Sequence, residues 1–369
     1  MVNLILAVMP TGLWEKIIFA FNSAVKNYAL AIILLTLVIK LVLLPVDFIN
    51  RRSSAKMTEM QTKLQPKMQE IQKRYPDKNI QNQKLGELYQ KEGFNPMGSC
   101  ITMLVVMAVT MGVFFGLFSG LNGMASYKIV DQYEQLQKAY VAEYVNETYN
   151  KDIYSLTDEE FKAEINNYIY EVYDPDNDSA NYETRLANAN QAVAQKYDEV
   201  RESFLWIKNV WIADSPFARA IPSFDTYAST AKLTFENDTK KSEAKNAYNA
   251  VMGELEKTQG VNGYFILAVL AAVSTFLSQY LLTKKKKQKD NFYTKQQQGQ
   301  PMTQTQSTGK AMMIVFPIIM LVFTLSYNSI FALYIVVGQL FTMATTPLIS
   351  KLIELSNNKK EKKAKVVKK

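Results

Sequence analysis

One lysine occupies a position in an apolar segment where its positive charge could attract a polar group. Lys40 lies in an apolar run over residues 29–46, and it is the only ionisable residue well inside any long apolar run of the chain. A cation at the centre of a bilayer costs about 2.5–3.5 kcal/mol, so it needs a compensating environment. Two interpretations stay open. The Lys40 stem could snorkel toward the headgroups beyond Pro45, or its ammonium group could lie in a water-filled cavity.

Polar side chains elsewhere in the apolar runs favour the cavity. Each alone is more often part of a hydrogen bond between two helices. Together with Lys40 they predict a hydrophilic pocket in the inner leaflet. The set comprises Thr36, Ser278, Gln279, Gln339 and Thr342.

Composition excludes several kinds of chemistry. The chain has no histidine and one cysteine, which excludes imidazole-based triads, most zinc sites and an intrachain disulfide. No Gly-x-x-x-x-Gly-Lys-Ser/Thr sequence occurs, so a nucleotide is not the direct energy source. We therefore expect no catalytic residue, no metal and no cofactor, and a protein that is not an enzyme.

The elements that must position Lys40 are membrane spans. A helix of about 20 residues crosses the ~30 Å hydrocarbon core. The first 28 residues are apolar but interrupted by Pro10, Glu15 and Lys16, which favours an interfacial amphipathic helix, with a sixth span as the alternative. The sequence therefore predicts an all-α polytopic membrane protein with five spans, at 29–46, 99–119, 263–282, 311–326 and 329–349.

Charge between the spans predicts their orientation. Segments 47–98, 283–310 and 350–369 carry an excess of Lys and Arg, whereas the long segment 120–262 is acidic. By the positive-inside rule the amino terminus is outside and the carboxyl terminus is cytosolic. We expect a cytosolic helical hairpin at 47–98, a mostly helical extracellular insert at 120–262, and a Gln-rich basic cytosolic loop at 283–310.

Three polar regions have further interpretations. The Tyr-rich insert predicts helical packing, with a binding face for cell-envelope components as the alternative. Trp206 and Trp211 lie in a short apolar run, which is typical of a segment at the outer headgroups. For the basic tail two interpretations stay open: simple topogenic charge, or attraction of anionic lipid and ribosomal RNA. Its candidate contact residues are Lys359, Lys360, Lys362, Lys363, Lys368 and Lys369.

Several ordered motifs resemble one family. The runs are VIKLVLLP (38–45), KLQPKM (63–68), LYQKEGFNPMGSC (88–100), FLWI (204–207), MMIVFP (312–317) and LYIV (333–336). In this order they are similar to the YidC/Oxa-type membrane protein insertases, and the resemblance covers all five spans and the cytosolic hairpin.

The resemblance implies a bacterial plasma-membrane insertase and chaperone. Its five-helix core would hold a groove open to the cytosol and to lipid, where a cation draws in the polar tail of a nascent membrane protein. The family's groove arginine falls on Lys40, a departure that keeps the charge but loses the bidentate fork. The implied partners are nascent membrane proteins, membrane lipid, the ribosome, the signal-recognition particle receptor and the Sec translocon, but not DNA. The insert after the second span is another departure, more like a Gram-positive or wall-less lineage.

Two other classes of protein remain as alternatives. A small-solute transporter or channel predicts an internal repeat, and none is found across the five spans. An envelope sensor or scaffold would use the Tyr-rich insert. Deleting that insert separates the sensor from an insertase in which it is an accessory.

Overall fold

The computed structural model describes residues 10–93, 96–174, 176, 181–294 and 304–367. These residues are almost entirely helical, and no strand forms among them apart from two isolated bridges. The helices are α1 (Leu13–Val25), α2 (Tyr28–Val42), α3 (Leu44–Arg74), α4 (Lys78–Lys91), α5 (Pro96–Tyr149), α6 (Asp158–Tyr173), α7 (Tyr182–Val200), α8 (Phe224–Thr230), α9 (Asp238–Gln259), α10 (Ile266–Thr294), α11 (Gln304–Ser326) and α12 (Ser329–Val367). The all-α class predicted from the sequence is confirmed.

Within the described part of the chain, two helices are long and apolar enough to cross a membrane. They are Ile101–Tyr149 of α5 and Ser329–Ser356 of α12. A third span results if α1 and α2, which meet at a bend of 117°, are counted as one. The apolar parts of α10 and α11, Ile266–Leu281 and Ile314–Ser326, are shorter. The structure therefore supports membrane-spanning helices, while the count of five stays a prediction.

Helix α2 buries one face in the protein and leaves apolar side chains exposed on the opposite side. Its buried residues recur at helical spacing, so they share one face. Leu30, Leu34, Val38 and Leu41 are large, apolar and exposed on other faces. Exposed apolar surface of this kind is expected where a helix contacts lipid. The buried residues are Tyr28, Ala29, Ala31, Ile32, Leu35 and Thr36.

The chain divides into two compact units. Unit 1 comprises residues 1–34, 118–272 and 319–335, and unit 2 comprises residues 35–117, 273–318 and 336–369. Helices α2, α5, α10, α11 and α12 contribute residues to both. Most of each predicted span lies in one of these helices, although the span predicted at 29–46 ends within α3.

Helices α3 and α4 form a hairpin in unit 2. Asp77 caps α4 by accepting hydrogen bonds from the backbone N–H groups of Asn79 and Ile80, at 2.7 and 3.4 Å. Gln81 donates to the backbone oxygen of Tyr75 at 2.7 Å, which fixes the turn. Leu64 is buried. A hairpin in which Leu64 is the one buried leucine among the described side chains fits the mostly polar composition of this segment.

The insert in unit 1 is built around tyrosines. Helix α5 continues to Tyr149 without a break, and α6, α7 and α9 pack together beyond it. The rings of Tyr133, Tyr227 and Tyr248 lie 4.8 to 4.9 Å apart between centroids. Burial raises the pKa of Tyr248, so its hydroxyl stays neutral at ordinary pH. These three tyrosines pack in a core. Only the exposed tyrosines of the insert could therefore form the binding face that is the alternative.

The segment expected as a loop at 283–310 is partly helical. Helix α10 continues to Thr294 and α11 begins at Gln304. Lys and Gln are good helix formers, so the helices extend past their apolar parts. Residues 295–303 lie outside the described residues.

Candidate functional site around Lys40

Lys40 and Thr36 lie on the same side of α2, one turn apart. Thr36 is fully buried, at 0% exposure, and Lys40 is half-buried. The helix continues almost directly into α3, since Leu43 N–H donates to the oxygen of Ile39 and Asp47 N–H to that of Leu43. Pro45 near the start of α3 supplies no N–H, so one backbone bond is lost at this junction. Lys40 therefore lies just before a weakened turn.

The Lys40 side chain lies against the backbone of α12 at Gly338. A Cβ atom added to Gly338 would lie 3.1 Å from Lys40 Cε, 3.6 Å from Lys40 Nζ and 3.9 Å from Thr36 Cγ2. The missing side chain is therefore what allows the lysine stem to approach α12. Gly338 was not singled out from the sequence, because glycine is frequent in membrane helices and a lone glycine does not indicate which side chain it contacts.

Helix α12 adds polar groups beside this contact. Gln339 is half-buried and follows Gly338 directly. Thr342, one turn later, donates its hydroxyl hydrogen bond to the backbone oxygen of Gly338 at 2.9 Å. A threonine bonded to its own helix contributes little attraction for a ligand, and its role as a groove-lining residue stays a prediction.

A second charged cluster lies in the same unit. Arg51 of α3 forms an ion pair with Asp47, with Nη2 and Oδ2 2.9 Å apart, and donates from Nη1 to Thr346 Oγ1 of α12 at 2.7 Å. Thr346 is 2% exposed. Asp47 and Arg51 also interact electrostatically with the ammonium group of Lys40. Sequence reasoning missed Arg51 because it lies just outside the apolar run and its partner on α12 is 295 residues away.

The structure says less about the remaining candidate residues, which lie on α10 and in the basic tail. Ser278 is buried and Gln279 is half-buried on α10, and their proximity to Lys40 stays a prediction. In the tail, α12 continues through Lys359, Lys360, Lys362 and Lys363 to Val367. Lys368 and Lys369 lie outside the described residues.

The tryptophan segment forms a buried junction in unit 1. Trp211 is 4% exposed, so its indole packs within unit 1, and its depth relative to the headgroups stays a prediction. Trp206 donates from Nε1 to Asp214 Oδ2 at 3.2 Å. The same carboxylate accepts from Tyr264 N at 2.8 Å and Leu267 N at 2.6 Å, which caps the start of α10. The polar partner of the Trp206 indole therefore lies inside the unit.

Asn262 and Ser329 complete this junction. The fully buried Asn262 donates to the oxygens of Asn209, Ile212 and Ala213 at 2.9 to 3.2 Å. Ser329, at the start of α12, donates its hydroxyl to the oxygen of Ile212 at 2.6 Å. One short segment thus holds the first turns of α10 and α12.

Comparison with known proteins identifies the family. The family model for the 60Kd inner membrane protein matches residues 20–168 and 189–358, well over half of the chain. A protein named membrane protein insertase YidC from Magnetococcus marinus is 44% identical over 91 residues, covering 24% of this chain and 16% of the relative. One from Geobacter metallireducens is 41% identical over 86 residues, covering 23% and 15%.

Another relative is shorter, so more of its length is covered. Membrane protein insertase YidC 1 of Streptococcus agalactiae is 34% identical over 104 residues, covering 25% of this chain and 37% of the relative. The match spans less than two fifths of the length of each of these relatives. The match of the family model over most of the chain, with YidC proteins as relatives, shows that the chain belongs to the 60Kd inner membrane protein family, the YidC/Oxa-type family.

Proposed function

We propose that this protein is an insertase and chaperone for nascent membrane proteins. Its relatives carry the insertase name, and the observation that carries the proposal is the half-buried cation of Lys40 between α2 and α12. Lys40 binds the polar tail of a substrate while the apolar segment of that substrate partitions into lipid. The work is physical, so no residue acts as a chemical catalyst and no cofactor takes part.

The charges around Lys40 support attraction of acidic tails. Asp47 and Arg51 pair with each other, which leaves the positive charge of Lys40 as the net charge of the three. In a low-dielectric environment such a charge interacts more strongly with a carboxylate than it does in water. Each acidic residue carried outward also gains about 2.3 kcal/mol per 100 mV of membrane potential.

The proposed topology places Lys40 within reach of the cytosol. The amino terminus lies outside, the α3–α4 hairpin and the basic tail are cytosolic, and the insert is extracellular. The bend of 117° between α1 and α2 is consistent with α1 lying along the outer surface. The tail lysines from Lys359 onward contact the ribosome or anionic lipid, and the signal-recognition particle receptor and the Sec translocon are proposed partners.

The test compares substrates that differ only in the charge of the translocated tail. We expect Lys40→Gln to slow insertion of the acidic-tail substrate more than that of the neutral-tail substrate, and Lys40→Arg to restore it. Lys73→Gln is the matched control, because it removes the same charge from an exposed position on α3. Insertion is measured in vesicles by protease protection.

Two outcomes would overturn the proposal. If Lys40→Gln slowed insertion of both substrates equally, the proposed attraction between Lys40 and the acidic tail would be refuted. Solute flux through purified protein in liposomes, without insertion of either substrate, would favour a transporter instead.

A further inference from the structure

A polar cleft lies in unit 1 at the amino-terminal end of α2. Its volume is about 320 Å³, at the lower end of the range for small-molecule sites. Lys26 and Asn27, which directly precede α2, line one part of it, and Lys128, Glu202 and Trp211 line another. The cleft is distinct from the Lys40 site, since all of its lining residues belong to unit 1.

Trp211 lines the cleft and carries a buried hydrogen-bond donor. Trp211 is almost fully buried, with its ring against that of Tyr28 at a centroid distance of 5.0 Å. Its Nε1–H has no acceptor among the residues that the structure describes. Buried indole N–H groups usually find a partner. A ligand oxygen would supply one here.

Two carboxylates of the cleft share one ammonium group. Lys128 Nζ lies 3.8 Å from Asp131 Oδ2 and 3.8 Å from Glu202 Oε1, so one ammonium group serves two carboxylates. Burial raises the pKa of the Glu202 carboxyl, and the charge of Asp131 raises it further, against the opposing effect of Lys128. A second cation beside these carboxylates would therefore be favourable.

These two requirements select the chemistry of the ligand. Inorganic phosphate supplies oxygen acceptors but no cation. A metal ion supplies no acceptor, and the described residues contain no cluster of three or more His, Cys, Asp or Glu that could hold one. A ligand with a phosphate and an ammonium group meets both requirements, and Lys26 and Arg201 add positive charge at the cleft for the phosphate.

We propose that this cleft binds the zwitterionic headgroup of a phospholipid, with the phosphate accepting from Trp211 and the ammonium group beside Asp131 and Glu202. A lipid is the favoured source because Lys26 and Asn27 immediately precede the apolar helix α2. In the proposed topology this end of α2 faces the outer leaflet. The site goes beyond insertion and does not depend on Lys40.

The test titrates the purified full-length protein, stripped of lipid in detergent, with three probes. They are dihexanoyl-phosphatidylethanolamine, dihexanoyl-phosphatidylglycerol and O-phosphoethanolamine, and binding is followed by calorimetry. We expect the phosphatidylethanolamine to bind most tightly, because the glycerol headgroup lacks the ammonium group. Equal affinity for the two lipids would overturn the zwitterion assignment, and equal affinity for O-phosphoethanolamine would overturn the lipid as its source.

Two variants locate the binding in this cleft. Trp211→Phe keeps the ring but removes the N–H, and we expect it to weaken binding of both lipids by roughly tenfold. Glu202→Gln keeps an oxygen that can accept from the N–H of Tyr28, and we expect it to abolish the preference for phosphatidylethanolamine. Glu256→Gln, in the partly exposed pair with Arg219, is the control.

Folding of each variant is checked by its thermal unfolding. Folded Trp211→Phe and Glu202→Gln proteins that bind like the wild type would overturn the assignment of the cleft.

Discussion

The contact between Lys40 and Gly338 gives a prediction whose size follows from the structure. In Gly338→Ala the new Cβ would lie 3.1 Å from Lys40 Cε, so the flexible lysine stem must move by a few tenths of an ångström. Alanine is favoured over glycine in a helix by about 1 kcal/mol, which offsets that adjustment. We expect Gly338→Ala to insert substrates and to unfold much as the wild type does.

A larger side chain at this position should remove the site. Gly338→Leu places its branched end in the volume that the Lys40 stem and the Thr36 methyl group occupy. Overpacking of this kind costs typically 1–3 kcal/mol, unless Lys40 leaves its position. We expect insertion of an acidic-tail substrate to fall to the level of Lys40→Gln, measured by protease protection in vesicles.

The control for this series is Gly112 on α5. A Cβ added to Gly112 meets nothing within 4 Å, so Gly112→Leu tests the effect of a bulky residue on a membrane helix without touching Lys40. We expect Gly112→Leu to insert normally. A folded Gly338→Leu protein with wild-type insertion of the acidic-tail substrate would refute the reasoning.

Three further predictions concern structure outside this contact. Asp214→Asn leaves an amide nitrogen facing backbone and indole donors, and we expect it to lower the free energy of unfolding by about 2 kcal/mol or more in a thermal unfolding assay. Thr346→Val removes the acceptor of Arg51, and we expect a loss of about 1.5 kcal/mol in the same assay, with Thr346→Ser close to wild type. The hydrogen bond from Lys67 lowers the pKa of Glu92 in the folded protein. The pair therefore stabilises the α3–α4 hairpin fully at pH values above the unfolded-state pKa of Glu92. This stabilisation is lost as the pH falls through the lowered, folded-state pKa. Hydrogen exchange of the hairpin should show that pH dependence, and Glu92→Gln should abolish it; an unchanged profile in that variant would contradict the assignment.

The sequence predicts local structure well where a single helix decides it. The apolar runs became helices, and Thr36 and Lys40 share a face because four residues make about one turn. The contact of Lys40 with Gly338 could not be predicted, because it depends on how α2 packs on a helix about 300 residues later. Arg51 was missed for the same reason.

The tryptophan segment shows another limit of sequence reasoning. Two indoles in a short apolar run are typical of a membrane interface, but Trp211 is buried against Tyr28 and Trp206 bonds to Asp214. The large apolar side chains that are exposed in this part of the chain are Leu205 and Phe217, at 74% and 88% exposure. Amphipathic residues suit both environments, so only the packing of each indole in the folded chain distinguishes the two.

The most direct test of the account is photocrosslinking from position 339 to a ribosome-bound nascent membrane protein. Gln339 neighbours the Lys40 contact, and replacing it by a photoreactive residue leaves the charge of Lys40 in place. The account predicts an adduct with the polar tail of the substrate that is weaker when the tail is neutral. Adducts of equal yield from position 339 and from the exposed Val105 on α5, or none from position 339, would contradict it.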